Sequence, residues 1–342
     1  MIQVGTTLMG GAENNIGKIM SFTSLICILM LKSSLHFKIF TGFRKLMLFF
    51  SWFAIVIFLI TLVGIDLPYY KINAFTLVMQ NSFGGESFYK LYGFVVSSTN
   101  TVYNFGGLRI SRICGPFQEP GHFAIYIGLV MFFEKLILQK FSKGFIIAGL
   151  LTFSPNFFLI LGITLFYDLL FSENKKTVIV YLLGGFILVS FLLLLSDGLR
   201  DQLYYMTIGR NFDTGGNIEE VLDNRAGKQT LEYYNRFVHS PYFLYGRGVE
   251  FMSQFGILSD WRGMVLKYGF IGLIFSLIAC FRILFFAKNI RLSVFIFLII
   301  ILIYLQRSWM FESAFVYLFL VIGLISNNYW LKNKTNLYEI KK

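Results

Sequence analysis

Long apolar runs, broken only by short polar segments, recur along the whole of this 342-residue sequence. A membrane core of about 30 Å needs about 20 such residues to cross as a helix. A chain carrying many of them has few alternatives to a bundle of spanning helices. Composition supports this. Hydrophobic residues make up 56% and charged residues only 14%, too polar-poor a mixture to cover a soluble globule of this size. The expected fold class is an all-α polytopic integral membrane protein, a single membrane domain over 1–342, with about eight spanning helices. Segments are placed at Ile16–Leu31, Leu46–Asp66, Pro120–Leu138, Thr177–Ser196, Gly263–Phe281, Leu292–Leu305 and Ala314–Leu331.

Gly144–Phe171 departs from the pattern. Lys140 and Lys143 precede it, Lys175 and Lys176 follow it, and Ser154-Pro155-Asn156 interrupts it. Lysine on both flanks places both on the cytoplasmic side. The expectation is a broken hairpin of two short helices, with irregular backbone that needs protein or water around it. The lysine-rich segments Lys32–Lys45, Gln139–Lys143, Ser172–Lys176 and Arg282–Arg291 and a tail at about 332–342 then fall inside. Two large external loops fall outside, at about 66–119 and 197–262. The +12 net charge follows this loop bias, so nucleic acid is not an expected partner.

Met1–Gly17 is polar and glycine-rich and does not read as a signal peptide. Cys27, Cys114 and Cys280 form no motif, and three scattered histidines (His36, His122, His239) make a histidine metal site improbable. Neither a phosphate-binding glycine loop nor an Asp-x-Asp pair occurs. No cofactor and no metal are expected.

Arginine and lysine divide by side. Arg109, Arg112, Arg200, Arg210, Arg225, Arg236, Arg247, Arg262 and Arg307 fall outside, and most lysines inside. Membrane orientation needs positive charge of either kind, so an external arginine surplus asks for another cause. Guanidinium grips phosphate oxygens two at a time, whereas ammonium is a point charge. The plainer alternative is salt bridging to the acidic residues of 197–262.

Two segments concentrate candidate chemistry. The first runs Arg109-Ile110-Ser111-Arg112-Ile113-Cys114-Gly115-Pro116-Phe117-Gln118-Glu119-Pro120-Gly121-His122 into a spanning helix. Pro120 suits a first helical position. Glu119 is then placed to cap the helix and offset its dipole, and with Arg112 and His122 it also forms a group able to hold an anion and take a proton. In the second, Asn217-x-x-Glu220 reads as a capping box. Arg225, Gln229, Glu232, Arg236 and His239 follow at helical spacing, and Gly246-Arg247-Gly248 after Pro241 lets backbone approach a ligand closely. The bland alternative is a solvated helix face.

The run Arg112…Gly115-Pro116-Phe117…Glu119-Pro120-Gly121-His122, together with Arg225, a helix, Pro241 and Gly246-x-Gly248, resembles the Wzy-type O-antigen and exopolysaccharide polymerases of the O-antigen ligase-like superfamily. The resemblance implies a metal-independent glycosyltransferase in the bacterial inner membrane. It would act on an undecaprenyl-diphosphate-linked oligosaccharide at the outer face, among membrane lipid, with a flippase and a chain-length regulator as possible partners. It implies catalytic roles for Glu119, Arg112, Arg225 and His239, and substrate binding by Arg109, His122, Arg236, Arg247 and Arg262. A ligase using the same donor and a flippase or transporter are the alternatives. The near absence of mid-span charge argues against ion coupling. Tyr69, Tyr70, Tyr92, Trp261 and Trp309 are positioned for sugar stacking or as interfacial aromatics.

Overall fold

The computed structural model describes residues 26–73, 88–105, 108–117, 119–171, 228–248, 261–287, 289–311 and 314–339. In chain order these form α1 (Ser33–Leu62), β1 (Tyr70–Asn73), β2 (Phe88–Tyr92), β3 (Val95–Phe105), β4 (Leu108–Ile113), α2 (Pro120–Leu138), α3 (Lys143–Leu151), α4 (Pro155–Phe171), α5 (Lys228–Val238), α6 (Trp261–Arg282), α7 (Ile290–Arg307) and α8 (Ala314–Glu339). Five helices are long and apolar enough to cross a membrane, namely α1, α2, α6, α7 and α8. The chain is a predominantly α-helical membrane protein. The expected span Thr177–Ser196 and most of Ile16–Leu31 lie outside the described residues.

Expected and observed spans agree where apolar runs are long. Pro120–Leu138 is a helix with those same bounds, Pro120 opening it and Gln139 closing it with a left-handed backbone. The polar segment Lys32–Lys45, expected to be a connection, is instead helical from Ser33 and continuous with the span. At 30 residues α1 is about 45 Å long, more than a bilayer core requires.

Two compact units divide the chain, Phe43–Leu222 in one and Met1–Gly42 with Asp223–Lys342 in the other. In the first unit, the expected external loop at 66–119 is a folded β-meander in the order β1-β2-β3-β4, all antiparallel. This corrects the all-α expectation. The physical cause is visible in Phe88–Ile113, where aromatic and β-branched residues concentrate. Period-2 alternation gathers Ile72, Tyr89, Leu91, Val96 and Cys114 into one small core. Tyr92 pairs with Val95 across the β2–β3 turn. The turn's Phe94 meets Phe49 and Phe53 of α1, with ring centroids 6.3 and 6.2 Å apart.

α2 is the enclosed helix: 83% of its span is buried, against 22–50% for the other four. Its neighbours α3 and α4 form the broken hairpin expected from Ser154-Pro155. Glu134 near the end of α2 takes hydrogen bonds from Ser142 N–H (2.8 Å) and Oγ (2.6 Å) at the start of α3. Lys135 pairs with Asp168 near the end of α4 at 2.9 Å. Both legs therefore return to one end of α2. α3, nine residues long, covers about 14 Å, too short to cross.

In the second unit α6 is interrupted at Gly269, where φ is +70° and ψ 179°. The backbone groups freed by the break bond to the segment 244–248. Leu266 O accepts from Arg247 N–H (2.8 Å), Lys267 O accepts from Gly248 N–H (3.0 Å), and Ile271 N–H donates to Leu244 O (3.2 Å). A Cβ at Gly246 would fall on the Lys267 carbonyl and one at Gly269 on the Leu244 carbonyl. Backbone packs on backbone here because neither residue has a side chain.

Candidate functional site

The turn that delivers Glu119 to the head of α2 is built on Gly115. Its φ is +57°, and the ring of Phe123 lies 2.6 Å from where its Cβ would be. Steric bulk and backbone conformation both demand glycine there. Phe117 stacks on Tyr126 of α2 at 4.8 Å. Gly115 O accepts from Val96 N–H at 2.7 Å, tying the turn to β3.

Glu119 occupies the position before the helix, with an extended backbone (φ −127°, ψ 140°). Its carbonyl accepts from His122 N–H at 3.1 Å. Its carboxylate makes no cap hydrogen bond, which corrects the side-chain capping expected from sequence. Glu119 Oε2 instead lies 3.4 Å from His122 Nε2, with 28% and 16% of the two side chains exposed. The i,i+3 spacing of the first helical turn brings the two together.

Sequence reasoning missed Tyr89. This residue on β2 is 7% exposed. Burial first, then the negative field of Glu119 and of Cys114, pushes its phenol up to about 12. The phenol stays protonated and able to donate at neutral pH. Only the alternation that points Tyr89 into the sheet's small core could have flagged it. Nearby on the meander, Tyr92 is also raised, by burial and then by Tyr69 and Asp66.

Arg112 has an architectural task. Its Nε donates to Thr152 O at 2.7 Å and its Nη2 to Phe153 O at 3.2 Å. Those carbonyls belong to the break between α3 and α4, where Phe153 has a left-handed backbone (φ +46°). The expected anion-binding guanidinium thus reaches the hairpin tip and satisfies carbonyls that no helix satisfies. Arg109 stands opposite Asn104 in the β3–β4 register.

Arg225 lies outside the described residues, as does the capping box Asn217-x-x-Glu220. α5 buries Tyr234 and Phe237 and exposes Glu232 and Arg236, and His239 just past its end is exposed as well. His239 Nδ1 donates to Asn235 O at 2.9 Å. Arg247 is exposed and lies 3.7 Å over the Tyr242 ring. Arg262 is buried at 6% exposure, its guanidinium 6.0 Å from the Tyr234 ring centre. The expected ligand-approach role of Gly246 gives way to its packing against Lys267. Among the expected aromatic platforms, Tyr70 is 80% exposed, whereas Trp261 packs edge-on against Tyr234.

Among the described residues no group of three His, Cys, Asp or Glu side chains gathers in a way that could hold a metal. The fold and site define an α-helical membrane protein. It carries a small antiparallel sheet over an enclosed helix, and a carboxylate–imidazole pair at that helix's head. The chain matches no protein-family model, no curated protein and no solved structure.

Proposed function

We propose that this protein is a repeat-unit polymerase that extends glycans carried on a polyprenyl diphosphate at the outer face of the bacterial inner membrane. The observation that carries the reading is the Glu119–His122 pair. Its carboxylate is not used for capping, faces an imidazole at 3.4 Å, and sits where an enclosed helix begins.

Such a group suits transfer to a sugar hydroxyl. Glu119, oriented by His122, takes the proton of the acceptor hydroxyl as its oxygen bonds to the donor's anomeric carbon. The bond from that carbon to the diphosphate oxygen breaks, and the electron pair leaves with the diphosphate. Positive groups then stabilise the departing charge. The resemblance assigns this task to Arg112 and Arg225.

The test is the lipid-linked glycan profile of a deletion strain complemented with wild-type or Glu119→Gln protein. Single repeat units in the deletion strain, with a ladder restored by wild type and not by the variant, support polymerisation. Full-length polymer stranded on its carrier would make the protein a ligase. Units trapped on the cytoplasmic face would make it a flippase.

A further inference from the structure

The buried carboxylate of Glu134 gathers lysines that it does not bond. It takes Arg44 Nε at 2.6 Å, and Ser142 N–H and Oγ at 2.8 and 2.6 Å. The residues that follow these two partners in the chain are Lys45 and Lys143. One carboxylate therefore draws together lysines from α1 and α3, and Lys140 stands on the connection between α2 and α3. All three are exposed. Among the described residues none of their ammonium groups meets an acid or a hydrogen-bond acceptor. The two carboxylates at this end of α2 are already taken, Glu134 by Arg44 and Asp168 by Lys135 at 2.9 Å. Positive charge is left over.

Apolar surface adjoins these lysines. α3 crosses α1 at Gly144, where a Cβ would fall 2.8 Å from Trp52 Nε1 and 2.9 Å from Leu48 Cδ1. Leu48 and Trp52 stand three and seven residues after Lys45, so the three share a helix face. Trp52 lies about 10 Å along the axis from Lys45, toward the middle of the span. It is 45% exposed, and among the described residues its indole N–H has no acceptor. Further along, the exposed stripe is apolar, with Val56 and Leu59. Ammonium groups at one level, an unmet indole N–H below them and apolar surface beyond match the order of groups in a phospholipid: phosphate, ester carbonyl, acyl chain. We propose that the α1–α3 crossing binds an anionic phospholipid of the cytoplasmic leaflet, the side to which the lysine bias assigns this end of the spans. Its phosphate lies among Lys45, Lys140 and Lys143, an ester carbonyl accepts from Trp52 Nε1, and an acyl chain follows Val56 and Leu59. Charge complementarity selects the head group, because a zwitterionic one brings its own cation to a site that already holds three. The bound lipid clamps α3 to α1 from the membrane side. Lipid binding here is independent of the chemistry at Glu119.

The test uses the full-length protein in phosphatidylcholine vesicles, with brominated phosphatidylglycerol or brominated phosphatidylcholine exchanged in. Bromine quenches tryptophan on contact. The difference between wild type and Trp52→Phe isolates the signal of Trp52 among the four tryptophans. Quenching of that signal should favour phosphatidylglycerol by at least about fivefold, the effect of a single lysine at an anionic lipid. The preference should shrink as salt rises. Lys45→Gln/Lys143→Gln should abolish it, and Lys71→Gln, which removes the same charge from the meander, should leave it intact. Equal quenching by the two lipids in wild type overturns the site. A preference that survives in the folded double variant, or that Lys71→Gln reduces as much, does the same. Should the double variant fail to fold, the wild-type comparison and Lys143→Gln alone still decide. Displacement of the brominated phosphatidylglycerol by water-soluble glycerol 3-phosphate would make the ligand a soluble anion and overturn the lipid assignment.

Discussion

Glu134 is the residue whose loss has the most calculable consequence. It is fully buried and receives Arg44 Nε at 2.6 Å, Ser142 N–H at 2.8 Å and Ser142 Oγ at 2.6 Å. Glu134→Ala removes the acceptor for all three. Each charged hydrogen bond contributes about 1.5–3 kcal/mol, but the three share one carboxylate and do not add. Breaking a buried ion pair from one side costs about 3–5 kcal/mol, the better measure here because the Arg44 side chain is only 12% exposed. At about 2 °C per kcal/mol, the figure for larger domains, the melting temperature in detergent should fall by about 6–10 °C. Hydrogen exchange should rise first at the start of α3, where the preceding Ser142 is held by Glu134. The double variant Glu134→Gln/Arg44→Gln should be less damaged than the sum of its singles, since it leaves no charge unpaired. A melting temperature within 2 °C of wild type in Glu134→Ala would refute the claim that this pair pins the hairpin.

Four further outcomes are expected. Glu119→Gln should cut polymer synthesis by about 100- to 10,000-fold, the usual reach of general base catalysis, at unchanged melting temperature; wild-type ladders would remove Glu119 from the chemistry. Gly269→Ala should destabilise α6 by more than the roughly 1 kcal/mol of an ordinary helical substitution, because its Cβ meets the Leu244 carbonyl at a positive φ; differential scanning fluorimetry reads it, and a neutral result would contradict the backbone crossing. Tyr89 carries a phenol raised to about 12 from 10.0. Its contribution to stability is complete below pH 10 and is lost as pH climbs toward 12. Wild type should therefore lose more stability than Tyr89→Phe across that window, and parallel melting curves would refute it. Arg112→Lys should loosen the hairpin tip, since an ammonium lacks the planar fork that reaches Thr152 O and Phe153 O together; limited proteolysis near 152–154 checks this, and unchanged cleavage would count against the clamp.

The sequence by itself determined the five spans seen among the described residues, the hairpin break and the glycine-turned approach to Glu119. These are one-dimensional signals. A run of apolar residues is long enough to cross or it is not, and Pro155 cannot continue a helix arriving from α3, though it can open the next one. Pro120–Leu138 therefore appears with the bounds the sequence dictates. The meander was half legible. Its β-branched and aromatic residues lie in plain view, but pairing Tyr89 with Ser98 is a contact between strands, and a reading along the chain sees only hydrophobicity. Tertiary structure alone decided the rest. It sent Arg112 forty residues along the chain to the hairpin tip, set Glu134 against Arg44 ninety residues away, and turned Gly246 toward Gly269. Each of these is a buried polar group or an exposed backbone bond finding the partner that a water-free interior obliges it to find. The sequence names the groups in need, and only the packed chain says which of the many candidates answers.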